Sequence, residues 1–293
     1  MGRIFVLVVF LCCPFILLAQ TIVVKGKISN EVTGEPIAYA SVGIVGKEYG
    51  TVADGEGKFS FSVPSAGLRA SDSVIISSLG FERFALRVSG LDSKSLDVKL
   101  KPSSIELSEV AVRPVKLKSK VLGKNDREYF THAVFFSRND KLDDKLGGEI
   151  GNIINLNGAC FLNDFNFYVT FNEFESVKLR LNIYAVRDDL PAESLLQDNI
   201  IIEVKKGQKK WIQQDLREYN IHVDHLEKVG VTLQWIESKV TTEESKFFGF
   251  STAISATKRG IRRDKSESSW IKDNAYHSMF FNADCYKPAT QKL

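Results

Sequence analysis

One short loop of two acids and two glycines could hold a cation or a phosphate. It reads Asp-Gly-Glu-Gly at residues 54–57, just before a strand-like stretch that begins at Lys58. A calcium loop of the EF-hand type, counted from residue 54, needs an oxygen ligand at its fifth position and glycine at its sixth, where Lys58 and Phe59 stand. The acids repel a phosphate, and no helix follows to lend its N-terminus. We therefore predict a tight hairpin turn whose glycines supply positive φ angles.

The histidines and the paired acids do not form a recognisable catalytic or metal site. His222 and His225 are three residues apart at a strand end, where side chains point to opposite faces, and the motif His-Glu-x-x-His is absent. The acid pairs at 143–144 and 188–189 lie in turn-like stretches. No Gly-x-Ser-x-Gly motif marks a hydrolase serine. We expect no catalytic residues, no metal and no cofactor.

Aromatic side chains are the remaining candidates for a binding site. A β-sandwich that binds sugar stacks rings on the sugar face and orients the sugar with polar groups. Trp235 alternates with apolar residues and is predicted to lie in a core. Trp211 and Trp270 have polar neighbours and are predicted to be exposed. The predicted binding residues are Trp211, Trp270, Tyr184 and Tyr219.

Two basic clusters, at 205–210 and 258–263, could attract an anionic polysaccharide or could simply be solvated turns. The chain has 293 residues, 44% hydrophobic and 26% charged, with a formal net charge of +3. This modest charge argues against a nucleic-acid partner.

The N-terminal residues are typical of a secretory signal. Arg3 is followed by an uncharged apolar run from Ile4 to Ala19, which as a helix would be about 24 Å long and short of a hydrocarbon core of about 30 Å. We predict a signal peptide at 1–19, cut before Gln20, with a retained anchor as the alternative. The mature chain then has no transmembrane helix and is exported to the periplasm or the outer membrane.

Cysteine usage is consistent with that location. Cys160 and Cys285 are the cysteines that remain after removal of residues 1–19. In an oxidising compartment they could pair, or they could be two buried free thiols. No Cys-x-x-Cys motif supports a redox function.

The segment after the signal consists of short alternating strands separated by turns. Lys58 to Val63 alternates strictly, which places Phe59, Phe61 and Val63 on one face. Strand signals recur about every ten residues without a helical period, which predicts a small antiparallel sandwich.

Several motifs of this segment, taken in order, resemble a known domain family. They are Gly26-Lys27-Ile28, Thr33-Gly34-Glu35-Pro36-Ile37, Ala40-Ser41-Val42, the stretch from Gly50 to Phe59, Ser77-Ser78-Leu79-Gly80-Phe81 and Val98-Lys99-Leu100. Together they resemble the carboxypeptidase regulatory-like domain of Gram-negative envelope proteins, with alanine at residue 53 where the family usually has threonine. The resemblance implies a seven-stranded transthyretin-like sandwich over 20–112, without peptidase residues of its own. The stretch 105–112 resembles the segment that leads into the plug of TonB-dependent receptors, but no plug follows.

The second half also has the pattern of an all-β fold. Residues 113–128 are rich in cations and predict a basic linker. Nine strand-like stretches follow between residues 129 and 286, and in the clearest, Val177 to Ala185, apolar residues alternate with polar ones and predict one buried and one wet face. We predict a larger jelly-roll-like β-sandwich over 129–286 and a tail at 287–293. This half loosely resembles a jelly-roll-like module found behind regulatory-like domains.

These observations favour an exported, non-catalytic envelope protein that acts as a binding or assembly module for a polysaccharide or an envelope protein. One alternative is an accessory component of a TonB-dependent outer-membrane uptake system. The other is a carbohydrate-active or peptidase-related enzyme with its site in the second sandwich.

Overall fold

A computed structural model describes residues 21–91, 95–103, 117–156, 158–242 and 246–286. The predicted signal peptide, the stretch 105–112 and the tail at 287–293 lie outside these residues. The described residues form strands, turns and three short 3-10 helices (Ser65–Gly67, Val88–Gly90 and Arg217–Tyr219), and no α-helix. Within these ranges the chain therefore has no helix of the length and apolarity that a membrane crossing needs. The predicted all-β fold is confirmed.

The N-terminal sandwich, residues 21–103, has a three-stranded sheet of order β4-β1-β7 and a four-stranded sheet of order β3-β2-β5-β6. Its strands are β1 (Thr21–Asn30), β2 (Ser41–Ile44), β3 (Gly50–Val52), β4 (Lys58–Pro64), β5 (Ser73–Ser77), β6 (Phe84–Arg87) and β7 (Leu96–Leu100). Strand β1 pairs antiparallel with β4 and parallel with β7. Both sheets contribute to one core, in which Phe59 and Val63 are buried and Phe61 is half-buried, as the alternation predicts.

The loop at 54–57 is a turn, but the prediction of a hairpin is wrong. It leads from β3 in one sheet to β4 in the other, so the strands on its two sides do not pair. The Asp54 carboxylate accepts hydrogen bonds from the backbone N–H groups of Glu56 at 2.9 Å and Lys58 at 2.8 Å. Gly57 has a φ of +75°, and a Cβ atom there would lie 2.4 Å from the carbonyl oxygen of Ile28. The acid thus caps its own turn, and glycine is required by both conformation and space.

The C-terminal sandwich, residues 117–286, contains a seven-stranded and an eight-stranded sheet among its described residues. Its strands are β8 (Lys118–Gly123), β9 (His132–Phe136), β10 (Glu149–Asn155), β11 (Ala159–Asn172), β12 (Ser176–Arg187), β13 (Leu190–Ser194), β14 (Ile200–Lys205), β15 (Trp211–Asp215), β16 (His222–Val223), β17 (Lys228–Lys239), β18 (Phe248–Ile254), β19 (Gly260–Arg263), β20 (Ile271–Asp273), β21 (Ala275–His277) and β22 (Met279–Tyr286). The first sheet has the order β13-β12-β17-β10-β19-β20, with β14 also on β12. The second has the order β21-β18-β11-β22-β8, with β15 and β16 also on β11 and β9 on β18.

Both sheets of the C-terminal sandwich share one apolar core. Trp235 is fully buried there, as predicted, and lies edge-on to Phe174 and Phe248. Cys160 on β11 and Cys285 on β22 are register partners and form a disulfide with a Cα–Cα distance of 4.0 Å. Of the two alternatives that the sequence left open, a disulfide or two free thiols, the structure thus contains the disulfide. The jelly-roll topology stays a prediction.

The predicted linker at 113–128 is wrong over part of its length. Residues 118–123 form β8, which pairs antiparallel with β22. Within this edge strand the side chain of Leu122 is buried, whereas that of Val121 is exposed. Because the strand has a single buried apolar side chain among lysines, its sequence has the composition of a linker.

The central strands β12 and β17 are buried on both faces, which corrects the prediction of one wet face. Leu179, Leu181 and Ile183 point into the core of the C-terminal sandwich. Arg180 and Asn182 on the opposite face are only 4% and 7% exposed. The N-terminal sandwich covers this polar face, and the single sequence pattern gives no sign of that contact.

Candidate functional site

Hydrogen bonds from β12 and β17 to the N-terminal sandwich hold the two sandwiches together. Arg180 is central to this contact. Its Nη1 donates to the backbone carbonyl of Tyr39 at 3.0 Å and to Asn199 Oδ1 at 3.2 Å, its Nη2 donates to Ser41 Oγ at 3.0 Å, and Nε and Nη2 both donate to Gln234 Oε1. All its N–H groups are thus used on neutral acceptors. Burial lowers the pKa of this guanidinium from its ordinary value.

A second set of contacts lies at the edge of the same interface. The Tyr39 hydroxyl donates to Glu237 at 2.8 Å, and Lys178 Nζ donates to the Tyr39 hydroxyl at 2.9 Å. Gly43 packs against the backbone of Ser266 so closely that a Cβ atom would lie 1.9 Å from its carbonyl oxygen. Strand β2 and the turn that follows β19 therefore approach each other at a position that only glycine allows.

A cavity of about 550 Å³ opens beside this contact and is lined by residues of both sandwiches. Ser41 and Ser78 line it from the N-terminal sandwich. Asn182, Arg263 and Trp270 line it from the C-terminal sandwich. A volume of this size accommodates a small molecule or a sugar residue with its neighbours.

A buried ionic cluster supports one wall of the cavity. The Glu149 carboxylate is fully buried and forms a salt bridge with Arg263. It also accepts hydrogen bonds from Thr232 Oγ1 at 2.5 Å and from the Tyr184 hydroxyl at 3.1 Å. Burial, followed by the charge of Glu149, raises the pKa of Tyr184. Burial alone would lower the pKa of the Arg263 guanidinium, but the electrostatic interactions with Glu149 and Tyr184 are stronger together, so this pKa is raised.

Two of the four predicted binding residues come together in the cavity. The rings of Tyr184 and Trp270 are 5.7 Å apart and nearly perpendicular. The Arg263 guanidinium lies over the Trp270 ring at 4.6 Å from its centroid. Arg263 therefore fixes the indole from one side and Tyr184 from its edge. Trp270 is half-buried rather than freely exposed.

The other two predicted residues lie elsewhere. Trp211 on β15 packs edge-on against Tyr168 at 5.4 Å and Phe280 at 5.2 Å. Tyr219 is half-buried against the core of the C-terminal sandwich. The structure does not bring either ring to the cavity, and whether they bind a ligand stays a prediction.

Two polar groups in the cavity wall have no hydrogen-bond partner among the described residues. They are the Nδ2 of Asn182 and the Oγ of Ser78, both inaccessible to solvent. Buried polar groups are nearly always paired because an unpaired one is destabilising. Both residues line the cavity, and a ligand there bonds to these two groups once the Asn182 amide and the Ser78 side chain have rotated toward it.

The predicted basic clusters differ in location. The turn at 205–210 is largely exposed, with Gly207 in the left-handed region. The cluster at 258–263 includes Arg263, whose side chain points inward to Glu149.

The interface between the two sandwiches also contains backbone strain, because Tyr39 and Glu267 have positive φ angles of 57° and 62°.

Across the described ranges no three side chains of histidine, cysteine, aspartate or glutamate converge as a metal site. His222 stacks on Phe161 at 4.4 Å and His225 is exposed beside Asp224.

Comparison with known proteins concerns the N-terminal part of the chain. Residues 24–112 match the family model of the CarboxypepD_reg-like domain. The N-terminal sandwich is a CarboxypepD_reg-like domain. This confirms the resemblance that the motifs indicate. No curated protein matches the chain.

Several residues of this cavity are not singled out by the sequence. Glu149, Arg180 and Gln234 occupy alternate positions in strands and have the pattern of solvent-facing residues. Arg180 and Gln234 become interface residues because they bond to Ser41 of the CarboxypepD_reg-like domain, whereas Glu149 is buried among partners within the C-terminal sandwich. No local pattern encodes that docking.

Proposed function

We propose that this protein is an exported, non-catalytic binding module of the cell envelope, located in the periplasm or at the outer membrane. Its ligand is a saccharide, and the binding site is the cavity between the CarboxypepD_reg-like domain and the C-terminal sandwich. The observation that carries this proposal is the placement of Trp270 and Tyr184 beside unpaired polar groups in one cavity. Aromatic rings with a few convergent polar groups are the usual composition of a sugar site.

The carboxylates around the cavity support binding rather than catalysis. A glycosidase needs two carboxyl groups that face each other across the scissile bond. Glu149 is bonded to Arg263, Tyr184 and Thr232. At the rim, Glu267 pairs with Arg83, and Glu193 pairs with an arginine. Each carboxylate thus has a structural partner already.

Export is supported by the apolar run at 4–19 and by the disulfide. Cystines persist in the periplasm and outside the cell, whereas cytosolic thiols are kept reduced. Cys160 and Cys285 join two neighbouring strands of the C-terminal sandwich.

The experiment is a glycan array probed with the secreted full-length protein, followed by calorimetry on the best-binding saccharide. Trp270→Ala should weaken binding about tenfold or more, since loss of one stacking ring costs about 1.5 kcal/mol or more. Trp211→Ala is the matched control, because it removes the same side chain from a surface outside the cavity, and it should bind like the wild type. Melting curves of both variants verify folding. Unchanged binding by Trp270→Ala, or silence on the array, overturns the proposal.

A further inference from the structure

The charged groups around the cavity leave one positive charge without a carboxylate partner. Three ion pairs account for the other charges: Arg83–Glu267, Arg263–Glu149 and Arg187–Glu193. Arg180 is 4% exposed, and each of its hydrogen bonds goes to a neutral oxygen of the described residues. The cavity wall therefore has an excess charge of one cation in a region of low dielectric constant, where a charge acts strongly on its neighbours.

The unpaired hydrogen-bonding groups are mainly donors. Asn182 Nδ2 is a donor and Ser78 Oγ can donate. Arg263 directs Nε and Nη2 at Glu149, and its Nη1 has no hydrogen bond to a described residue. With the Asn182 amide and the Ser78 hydroxyl rotated toward the cavity, these donors need a ligand rich in acceptors, since a guanidinium such as that of Arg263 cannot accept.

We propose that the cavity binds a saccharide bearing a singly charged oxyanion, a carboxylate or a sulfate ester. This inference rests on the proposed function and specifies its ligand. An oxyanion accepts hydrogen bonds from Asn182, Ser78 and Arg263 and compensates the charge of Arg180. A single negative charge matches the excess of one cation, whereas a phosphate monoester carries about −1.5 to −2 at neutral pH. The sugar ring then lies against Trp270.

The first test is an array of matched polysaccharide pairs probed with the secreted full-length protein. Polygalacturonate and alginate are printed beside their carboxyl-reduced counterparts, and dextran sulfate is printed beside dextran. We expect at least about tenfold stronger binding to the charged member of a pair. Preference for polygalacturonate or alginate assigns a carboxylate, and preference for dextran sulfate assigns a sulfate ester. Displacement by inorganic phosphate at millimolar concentration would show that the site takes a free oxyanion, which overturns the saccharide part.

The second test uses variants at residue 182. Asn182→Asp adds a negative charge in nearly the same volume and should weaken binding of the charged polysaccharide about tenfold or more by charge repulsion. Binding to a neutral polysaccharide, which brings no charge to residue 182, should fall by a smaller factor. Asn182→Leu removes the donor and should also weaken charged binding. Thr170→Val is the matched control, because Thr170 Oγ1 is likewise buried without a partner but does not line the cavity.

The outcomes separate this inference from the proposed function. Equal or stronger binding of the neutral member, still lost in Trp270→Ala, keeps the saccharide site and overturns the anionic ligand. Silence toward every polysaccharide overturns both. Full charged binding by Asn182→Asp, with an unchanged melting temperature, overturns the assignment to this cavity.

Discussion

Asn182→Leu should make the protein more stable while it weakens ligand binding. Asn182 is 7% exposed, and its Nδ2 has no partner among the described residues. A buried polar group without a hydrogen bond costs about 1–3 kcal/mol. Leucine has the same branched shape and no polar atom, so the exchange removes this cost, and the adjoining cavity takes up the larger methyl groups.

We expect the free energy of unfolding to rise by about 1–2 kcal/mol. For a chain of this size each kcal/mol moves the melting temperature by about 2–4 °C, so the expected increase is about 2–8 °C. Differential scanning calorimetry of the wild type and Asn182→Leu without ligand measures it. Thr170→Val should show a similar or smaller increase and retain ligand binding. A melting temperature lowered by more than about 2 °C in Asn182→Leu would refute the reasoning, since it would show that the amide stabilises the fold.

Three further predictions concern the fold that holds the cavity. Replacing Cys160 and Cys285 by alanine removes a disulfide between residues 125 positions apart, and chemical denaturation should show that the free energy of unfolding falls by up to about 5 kcal/mol. An unchanged denaturation midpoint would contradict this prediction. Burial lowers the pKa of His277 to about 4, so as the pH falls the unfolded state binds a proton first, and the free energy of unfolding should fall by about 2.5 kcal/mol between pH 7 and pH 4.5. In urea titrations at several pH values, His277→Gln should lack this part of the pH dependence, and a pH dependence identical to that of the wild type would refute the reasoning. Gly43→Ala forces a Cβ atom onto the Ser266 backbone and should lower both the melting temperature and the ligand affinity. In the control Gly55→Ala the new Cβ atom lies 3.9 Å from its nearest neighbour, the Tyr39 hydroxyl, so neither quantity should fall, and equal effects of the two substitutions would contradict the close approach.

The strands of this protein were largely predictable, because alternation between polar and apolar residues reports burial within a single sheet. All nine strand-like stretches of the second half correspond to strands in the structure. The strands that were not predicted, such as β8 and β16, are short or have few apolar side chains. Neighbours in the sheet, rather than their own sequence, make them strands.

The candidate cavity was predictable only in part. Trp270 and Tyr184 were identified by residue type, because rings are useful for binding wherever they lie. The polar wall was not, since Arg180 and Asn182 have the pattern of solvent-facing residues. Their burial depends on contacts between residues far apart in the chain, such as Arg180 with Ser41. A local pattern carries no information about such a contact.

The docking of the two sandwiches explains why polar residues are tolerated there. A buried arginine is costly unless its donors are satisfied. Arg180 meets that condition through acceptors on both sandwiches, among them the Tyr39 carbonyl and Gln234. The same geometry leaves Asn182 unsatisfied beside it. Of these two residues of β12, Arg180 thus stabilises the contact between the sandwiches, and Asn182 is left for ligand binding.

A crystal structure of the protein with the best-binding acidic saccharide tests the central claim most directly. We predict that the saccharide lies in the cavity between the two sandwiches, with its ring against Trp270 and its acidic group bonded to Asn182 and Arg263. A saccharide bound at Trp211 or on another surface, with the cavity free of it, would contradict the account.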